Sequence, residues 1–368
     1  MQNAKCGRGL VKINKIWYNT RRYTTKGCVM GIKILGTGSY LPEKVVTNDD
    51  IAKSLETTDE WIYSHTGIHS RHVAGEGESS STMGAEAARR AMEVAGVKPE
   101  EIGLIVVATS TPDYNPFPST ACIVQSLLGC TNAGAFDLLA ACAGFVYALE
   151  QARGFVNFYP DKKAIVIGAE SLTRILDWSD RSSCILFGDG AGAVVLGNDE
   201  APGAASAKTT AHTILGADGQ GAHFITRTGG CKNALPFAPT GIPAKCEPEK
   251  PELVLMGHDV FAFAVRTLSK VAKDLCEKLG TSPEELDRVF AHQPNGRIIE
   301  AVARRMKLPL EKFWLNLETT ANTSAASIPI SLDQAVKAGE LKDGMKIVMV
   351  GFGAGLTYAG TYCTWPEL

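Results

Sequence analysis

Gly188-Asp189-Gly190-Ala191-Gly192, with Gly197 beyond it, and Gly351-Phe352-Gly353-Ala354-Gly355, with Gly360 beyond it, are two versions of one pattern. Each interrupts an apolar, β-branched run with a glycine cluster, where backbone can turn tightly or approach a neighbour closely. A second echo is Leu149-Glu150-Gln151-Ala152 against Leu332-Asp333-Gln334-Ala335. In both echoes the second member follows the first at a similar interval, and the order along the chain is kept. Chance likeness of glycine-rich turns is the plainer reading of one echo. Two ordered echoes favour two copies of one α/β unit packed face to face.

The surrounding sequence reads the same way. Residues 103–108, 163–168 and 346–351 are short continuous apolar runs, the signature of strands buried on both faces. Helical periodicity occupies 80–95, 118–128, 142–155, 259–279 and 296–306. Strands alternating with helices predict a layered α/β architecture. The stretch 198–252, rich in Gly, Ala, Thr and Pro, reads as loops and the passage between halves. With 368 residues the chain exceeds a single core, and a duplicated core accommodates that length. The halves are expected at 30–200 and 201–368.

Charge separates one further segment. Residues 1–29 hold seven basic side chains and no acid, which leaves 30 basic against 39 acidic residues, net −9, in the rest. An acidic body argues against nucleic acid as a partner. The segment has no hydrophobic periodicity and reads as an extension outside the fold, with Met30 a possible native start. A transit peptide to a plastid-type organelle would also be basic and acid-free, although this segment has no serine. Otherwise a cytoplasmic location is expected. No apolar run reaches the ~18 residues of a membrane span. None of the ten cysteines forms a Cys-x-x-Cys pair, so no metal or dithiol site is expected and most should be buried thiols.

Three segments have the makings of chemistry. Gly134 to Leu139 runs as an apolar strand into Ala140-Ala141-Cys142-Ala143-Gly144 and then a helical pattern, which sets Cys142 at a strand-to-helix turn. Amide groups at a helix start favour a thiolate and would lower its pKa. A buried structural thiol is the alternative. His292 follows the strand-like Asp287 to Ala291, and Pro294 opens the next helix, so the imidazole points to the sheet edge where α/β sites form. His65, His69 and His72 cluster with Arg71 in a polar stretch that reads as a solvated loop. Asn322, in Thr320 to Pro329, is either a helix cap or an amide that can donate to a carbonyl oxygen gaining charge.

From about Gly31 to the C-terminus the chain resembles β-ketoacyl-acyl carrier protein synthase III, the initiating condensing enzyme of type II fatty acid synthesis, with a thiolase-like duplicated core in αβαβα layers. The marks are Asp137 to Phe145 around the cysteine, Asp180-Arg181 before the first glycine cluster, His292 with Asn295 and Arg297, and Asn322 to Pro329. The resemblance implies a Cys142, His292 and Asn322 triad, with the Cys142 and Ala354 backbone N–H groups as oxyanion hole. It implies an acyl transferase that joins a short acyl-CoA, acetyl-CoA in the simplest case, to malonyl-acyl carrier protein. No cofactor is implied beyond the coenzyme A thioester that is itself substrate.

The same resemblance implies coenzyme A contacts from Thr57, Trp61, Arg181, Gly257, Phe261 and Asn295, with Trp61 and Arg181 sandwiching the adenine. Phe117 would reach the partner's acyl pocket across a homodimer, and Arg297 would meet the carrier protein. His65 stands where the family often has arginine, and Pro294 and Gly296 vary its usual Gln-Ala-Asn-x-Arg pattern. Two other functions compete: a starter condensing enzyme of polyketide or other secondary-metabolite synthesis, and a non-catalytic scaffold that kept the fold. Retention of all three triad residues argues against the scaffold.

Overall fold

The computed structural model describes residues 33–198, 211–227, 253–366 and 368, with the short antiparallel pair Lys12–Ile13 and Ile16–Trp17. Apart from that pair, the expected extension 1–29 lies outside the described residues, as does the boundary at 200/201. Two sheets organise the rest. The first has five strands in the order 33–40, 190–197, 163–170, 102–108, 134–138. The second has four, in the order 211–217, 357–364, 346–353, 288–291.

The connectivity repeats. In each sheet the opening strand pairs antiparallel with the closing strand, which pairs antiparallel with the strand before it, which pairs parallel with an earlier one. Among the described residues the second sheet has no ladder matching 134–138. An isolated parallel bridge between Val289 and Phe313 stands on that side instead.

Five layers follow from where apolar faces find partners. Helices Ser80–Ala95 and Thr120–Leu128 cover the outer face of the first sheet, through Met83, Ala87, Ala91 and Val124 against Ile105, Ile165 and Val195. Helices Gly257–Lys278 and Gly296–Met306 cover the second sheet through Leu268, Leu275 and Val302 against Val348 and Val350. Helices Gly144–Phe158 and Ser327–Lys337 lie between the sheets, where Phe145, Leu149 and Leu332 meet Val106, Phe290 and Met349. Each such side chain contributes about 1.5–3 kcal/mol by leaving water. Polar positions on the middle helices are satisfied within the protein: Asp333 accepts from the Thr37 (2.9 Å) and Ser39 (2.5 Å) hydroxyls.

The expected strands and helices are present, with ends shifted by a few residues. Two expectations are corrected. Within 198–252, the described residues 211–217 form an edge strand paired with 357–364 from Ala211↔Cys363 to Ala217↔Thr357. Small and polar residues on a half-exposed edge carry no continuous apolar run, so periodicity missed it. The histidine cluster is not a solvated loop either. Residues Asp59–Thr66 are helical, Ser70–His72 pairs with Val45–Thr47, and Arg71 is fully buried, donating to Asn48 Oδ1 (2.8 Å) and Ile185 O (2.8 Å).

Candidate active site

The glycine clusters explain how two halves build one site. Gly353 lies where a Cβ would stand 2.6 Å from the Cys142 amide nitrogen and 2.9 Å from Ala141 Cβ. Gly192 lies where a Cβ would stand 2.5 Å from the Ile330 nitrogen. Only backbone without a side chain lets each sheet take the helix-opening turn of the other half. Those turns match each other. A short 3₁₀ turn precedes each middle helix, at 141–143 and 324–326, and each opens on a non-glycine residue of positive φ, Ala141 (46°) and Ser324 (49°). Ala141 and Ser324 are as far apart in the chain as the echoing Leu149 and Leu332, so turn and helix repeat as one unit.

Cys142, His292 and Asn322 all line one cavity of about 770 Å³, together with Ala354, Gly257, Phe261 and Asn295. Cys142 sits in the 3₁₀ turn before helix Gly144–Phe158, as its strand-to-helix setting predicts, and is half-buried at the cavity wall. The expected fall in its pKa is corrected. Burial pushes the thiol up to about 12, Glu170 adds to the rise, and a bond from the Ser324 hydroxyl opposes it. A few helix amides do not outweigh loss of water around a nascent thiolate.

His292 follows strand Arg288–Ala291 and is 1% exposed. Burial pushes its pKa down to about 3, so the ring is neutral. Nδ1 lies 2.8 Å from the Ser327 hydroxyl, which lies 2.8 Å from the Ser324 carbonyl oxygen. A carbonyl only accepts, so the Ser327 proton points there and Nδ1–H donates to Ser327. Nε2 then carries a lone pair, and among the described residues no partner reaches it.

Asn322 is held through its backbone: its N–H donates to Leu186 O (2.9 Å) and its carbonyl accepts from Gly188 N–H (3.1 Å). Its side-chain Oδ1 accepts from Ser324 N–H (2.8 Å), which orients the amide and leaves Nδ2 without a partner among the described residues. That arrangement is a local cap and an aimed donor at once.

Of the other expected site residues Asn295 lines this cavity, whereas Thr57, Trp61, Arg181, Arg297 and Phe117 are not part of its lining. Arg181 packs over the Trp61 ring at 4.6 Å and donates to Glu56 O (2.8 Å), and Thr57 Oγ1 is buried without a hydrogen-bond partner. An adenine cannot fit between Trp61 and Arg181 at that separation. His65 stacks on Trp61 (centroids 4.3 Å apart) and donates from Nδ1 to Trp61 O (2.7 Å). Asn295 caps helix Gly296–Met306 through Oδ1 and donates from Nδ2 to His65 O (3.0 Å). Arg297 donates to Ser64 O (2.5 Å). Phe117 is 79% exposed on the loop before helix Thr120–Leu128. Sequence reading missed Ser324, Ser327 and Glu170, whose roles depend on contacts across elements.

Comparison with known proteins agrees with this geometry. Residues 136–219 match the family described as 3-Oxoacyl-[acyl-carrier-protein (ACP)] synthase III, and residues 276–365 match its C-terminal part. The chain is 44% identical to a β-ketoacyl-[acyl-carrier-protein] synthase III of Caldanaerobacter subterraneus subsp. tengcongensis, over 91% of this chain and 98% of that one. The crystal structure of 3-oxoacyl-[acyl-carrier-protein] synthase III from Aquifex aeolicus VF5 superposes with a TM-score of 0.81 at 41% identity, covering 91% of this chain and 100% of that one. The priming β-ketosynthase of the R1128 polyketide pathway gives 0.81 at 36% identity, covering 94% and 99%. The chain belongs to the β-ketoacyl-[acyl-carrier-protein] synthase III family, with the thiolase fold.

Proposed function

We propose that the cavity condenses a short acyl-CoA, acetyl-CoA in the simplest case, with malonyl-acyl carrier protein to give a 3-oxoacyl-acyl carrier protein. The observation that carries this reading is the meeting of Cys142, His292 and Asn322 on one cavity, with His292 Nε2 and Asn322 Nδ2 unclaimed by the described residues. Cys142 Sγ attacks the acyl carbonyl while its proton passes to His292 Nε2. The departing coenzyme A sulfur takes that proton, leaving an acyl-thioester on Cys142. The Cys142 and Ala354 amides stabilise the tetrahedral oxyanion.

Malonyl thioester then loses CO₂, and the electron pair of the broken bond forms an enolate that attacks the acyl carbon. The bond from that carbon to Cys142 Sγ breaks, and the departing thiolate takes a proton from water to restore the thiol. Asn322 Nδ2–H donates to the enolate oxygen. His292 joins it in the other neutral tautomer: Nδ1 releases its proton to water, Nε2 takes one from water in the cavity, and the Ser327 hydroxyl turns from Ser324 O to donate to Nδ1. One hydroxyl thus serves both half-reactions. The steps balance without a metal or redox cofactor.

Thr57, Trp61 and Arg181 receive the nucleotide end, Arg181 giving way to the adenine, and Gly257, Phe261 and Asn295 line the path of the pantetheine. Arg297 meets the carrier protein. Exposed Phe136 and Leu139, in and just after the edge strand Gly134–Leu138, together with exposed Phe117, support a homodimer. No helix among the described residues is long and apolar enough to cross a membrane. A reducing cytoplasm would keep the nucleophile as a thiol.

Intact-mass analysis after incubation with acetyl-CoA tests the reading: Cys142 should gain an acetyl group, and Cys142→Ser should not. Acylation confined to another cysteine would overturn it. Likeness to the R1128 priming enzyme favours a second reading, a starter synthase for a secondary metabolite. A panel of acyl-CoA primers, with malonyl-acyl carrier protein or malonyl-CoA as extender, separates the two.

A further inference from the structure

His69, from the histidine-rich stretch, has no part in the reaction above, yet it joins the two halves beside Trp61. Helix Asp59–Thr66, which carries Trp61, is held at both ends by the second half. Its last turn rests on the segment that follows His292: Asn295 Nδ2 donates to His65 O (3.0 Å) and Arg297 donates to Ser64 O (2.5 Å). Its first turn is tied through His69 to the segment that precedes Asn322. His69 Nδ1 lies 2.8 Å from Asp59 Oδ1, and Nε2 lies 3.9 Å from Glu318 Oε1. The His69 N–H also donates to Glu318 O (2.8 Å), and Ile68 packs with Leu317 and Ala321.

The Tyr63 ring lies flat on the imidazole, centroids 4.0 Å apart and planes 5° apart, so the two nitrogens are aimed at two carboxyl groups. The hydrogen bond from His69, with another from Asn48 Nδ2 (2.8 Å), holds the Asp59 carboxyl below its usual value. A carboxylate only accepts, so Nδ1 carries the proton of the neutral ring and Nε2 turns a lone pair toward Glu318. A second proton can go only to Nε2, where it makes an ion pair with Glu318. No hydrogen bond spans 3.9 Å, so attraction there needs the charge.

We propose that His69 is a positioning residue for nucleotide binding: its second proton latches helix Asp59–Thr66, and Trp61 with it, to Glu318 and the segment leading into Asn322. That proton comes from water, and no other covalent bond changes. Imidazole is the side-chain type that changes charge around neutrality, so the latch closes toward about pH 6 and opens toward about pH 8. Among the described residues, the ionisable groups around His69 are Asp59 and Tyr63 on the helix, Glu318 opposite, and Arg71 two residues along, which donates to Asn48. Helix Asn48–Ala52 adds Asp49 and Asp50, the latter paired with Lys53 (2.7 Å). The inference rests on Trp61 being the nucleotide end.

The test is calorimetric titration of coenzyme A into the wild type, His69→Asn, Glu318→Gln and the double variant, at pH 6 and pH 8. Asparagine keeps a donor toward Asp59 but cannot take a charge. Both positions are part-exposed, so the substitutions leave the fold intact. At pH 6 each single variant should bind about threefold more weakly than the wild type, the worth of one part-exposed ion pair, and the double variant no more weakly than either. At pH 8 all four should agree. His65, on the same helix, adds any trend of its own to all four proteins alike, so the comparison removes it. Phosphopantetheine, which lacks the nucleotide, should bind all four equally at both pH values. Variants equal to the wild type at pH 6, a deficit of the same size at pH 8, or a deficit shared by phosphopantetheine would each overturn the latch. Failure of the wild type to bind coenzyme A at either pH would instead overturn the nucleotide reading of Trp61, and the latch with it.

Discussion

His292 Nδ1 and the Ser327 hydroxyl, 2.8 Å apart, come from different elements of the second half, a strand end and the first turn of a middle helix. Because the same hydroxyl also reaches Ser324 O at 2.8 Å, the pair determines which imidazole nitrogen holds the proton. Ser327→Ala removes that control. The expected outcome is a loss of kcat/KM of up to roughly tenfold with little change in fold, and recovery in Ser327→Thr, which restores a hydroxyl. Condensation assays beside circular dichroism check it. An unchanged rate would mean that the ring is oriented by its apolar surroundings alone.

Depression of the His292 pKa to about 3 has two consequences. Activity should show no acid limb near 6.5 from protonation of His292 while the fold persists. Stability follows the other sign. The unfolded imidazole binds a proton near 6.5 and the folded one only near 3, so the unfolded state holds more protons between those values. This contribution is therefore complete above pH 6.5 and falls by at most about 1.4 kcal/mol per unit below it. Urea midpoints from pH 7 to 5 should drop less steeply in His292→Asn than in the wild type.

Trp61, with Arg181 over its ring, is the expected nucleotide end of the site. Trp61→Ala should raise the KM for acetyl-CoA about tenfold through lost stacking. A short pantetheine thioester, which never reaches this end, should be used as before. Equal impairment of both substrates would assign Trp61 to packing instead.

Two glycines should respond in opposite directions to the same change. Gly353→Ala puts a methyl group 2.6 Å from the Cys142 nitrogen, so the nucleophile's turn must shift. Loss of acylation and a destabilisation of about 1–3 kcal/mol are expected. Gly154 lies inside helix Gly144–Phe158 with nothing within 4 Å of its would-be Cβ. Gly154→Ala should raise stability by about 0.5–1 kcal/mol and leave activity unchanged. Thermal melts and acetyl-transfer rates on both variants make the comparison.

What the amino-acid sequence determined by itself was everything that repeats along the chain. The apolar runs at 103–108, 163–168 and 346–351, the paired glycine clusters and the cysteine at a strand-to-helix turn are local patterns, and local backbone preferences express them directly. The edge strand 211–217 escaped because half-exposed residues need no apolar run. Only the tertiary structure decided what surrounds each reactive group. Cys142 looked activated by its helix because that helix is its neighbour in sequence. Its thiol is instead raised by enclosure between two halves and by Glu170, which arrives on the strand beyond that helix. Likewise nothing near His292 in the chain points to Ser327, which lies on a later helix, although that hydroxyl settles the resting tautomer. Periodicity carries information about neighbours in sequence, whereas protonation depends on water exclusion and hydrogen bonds across space, which exist only once the sheets have stacked.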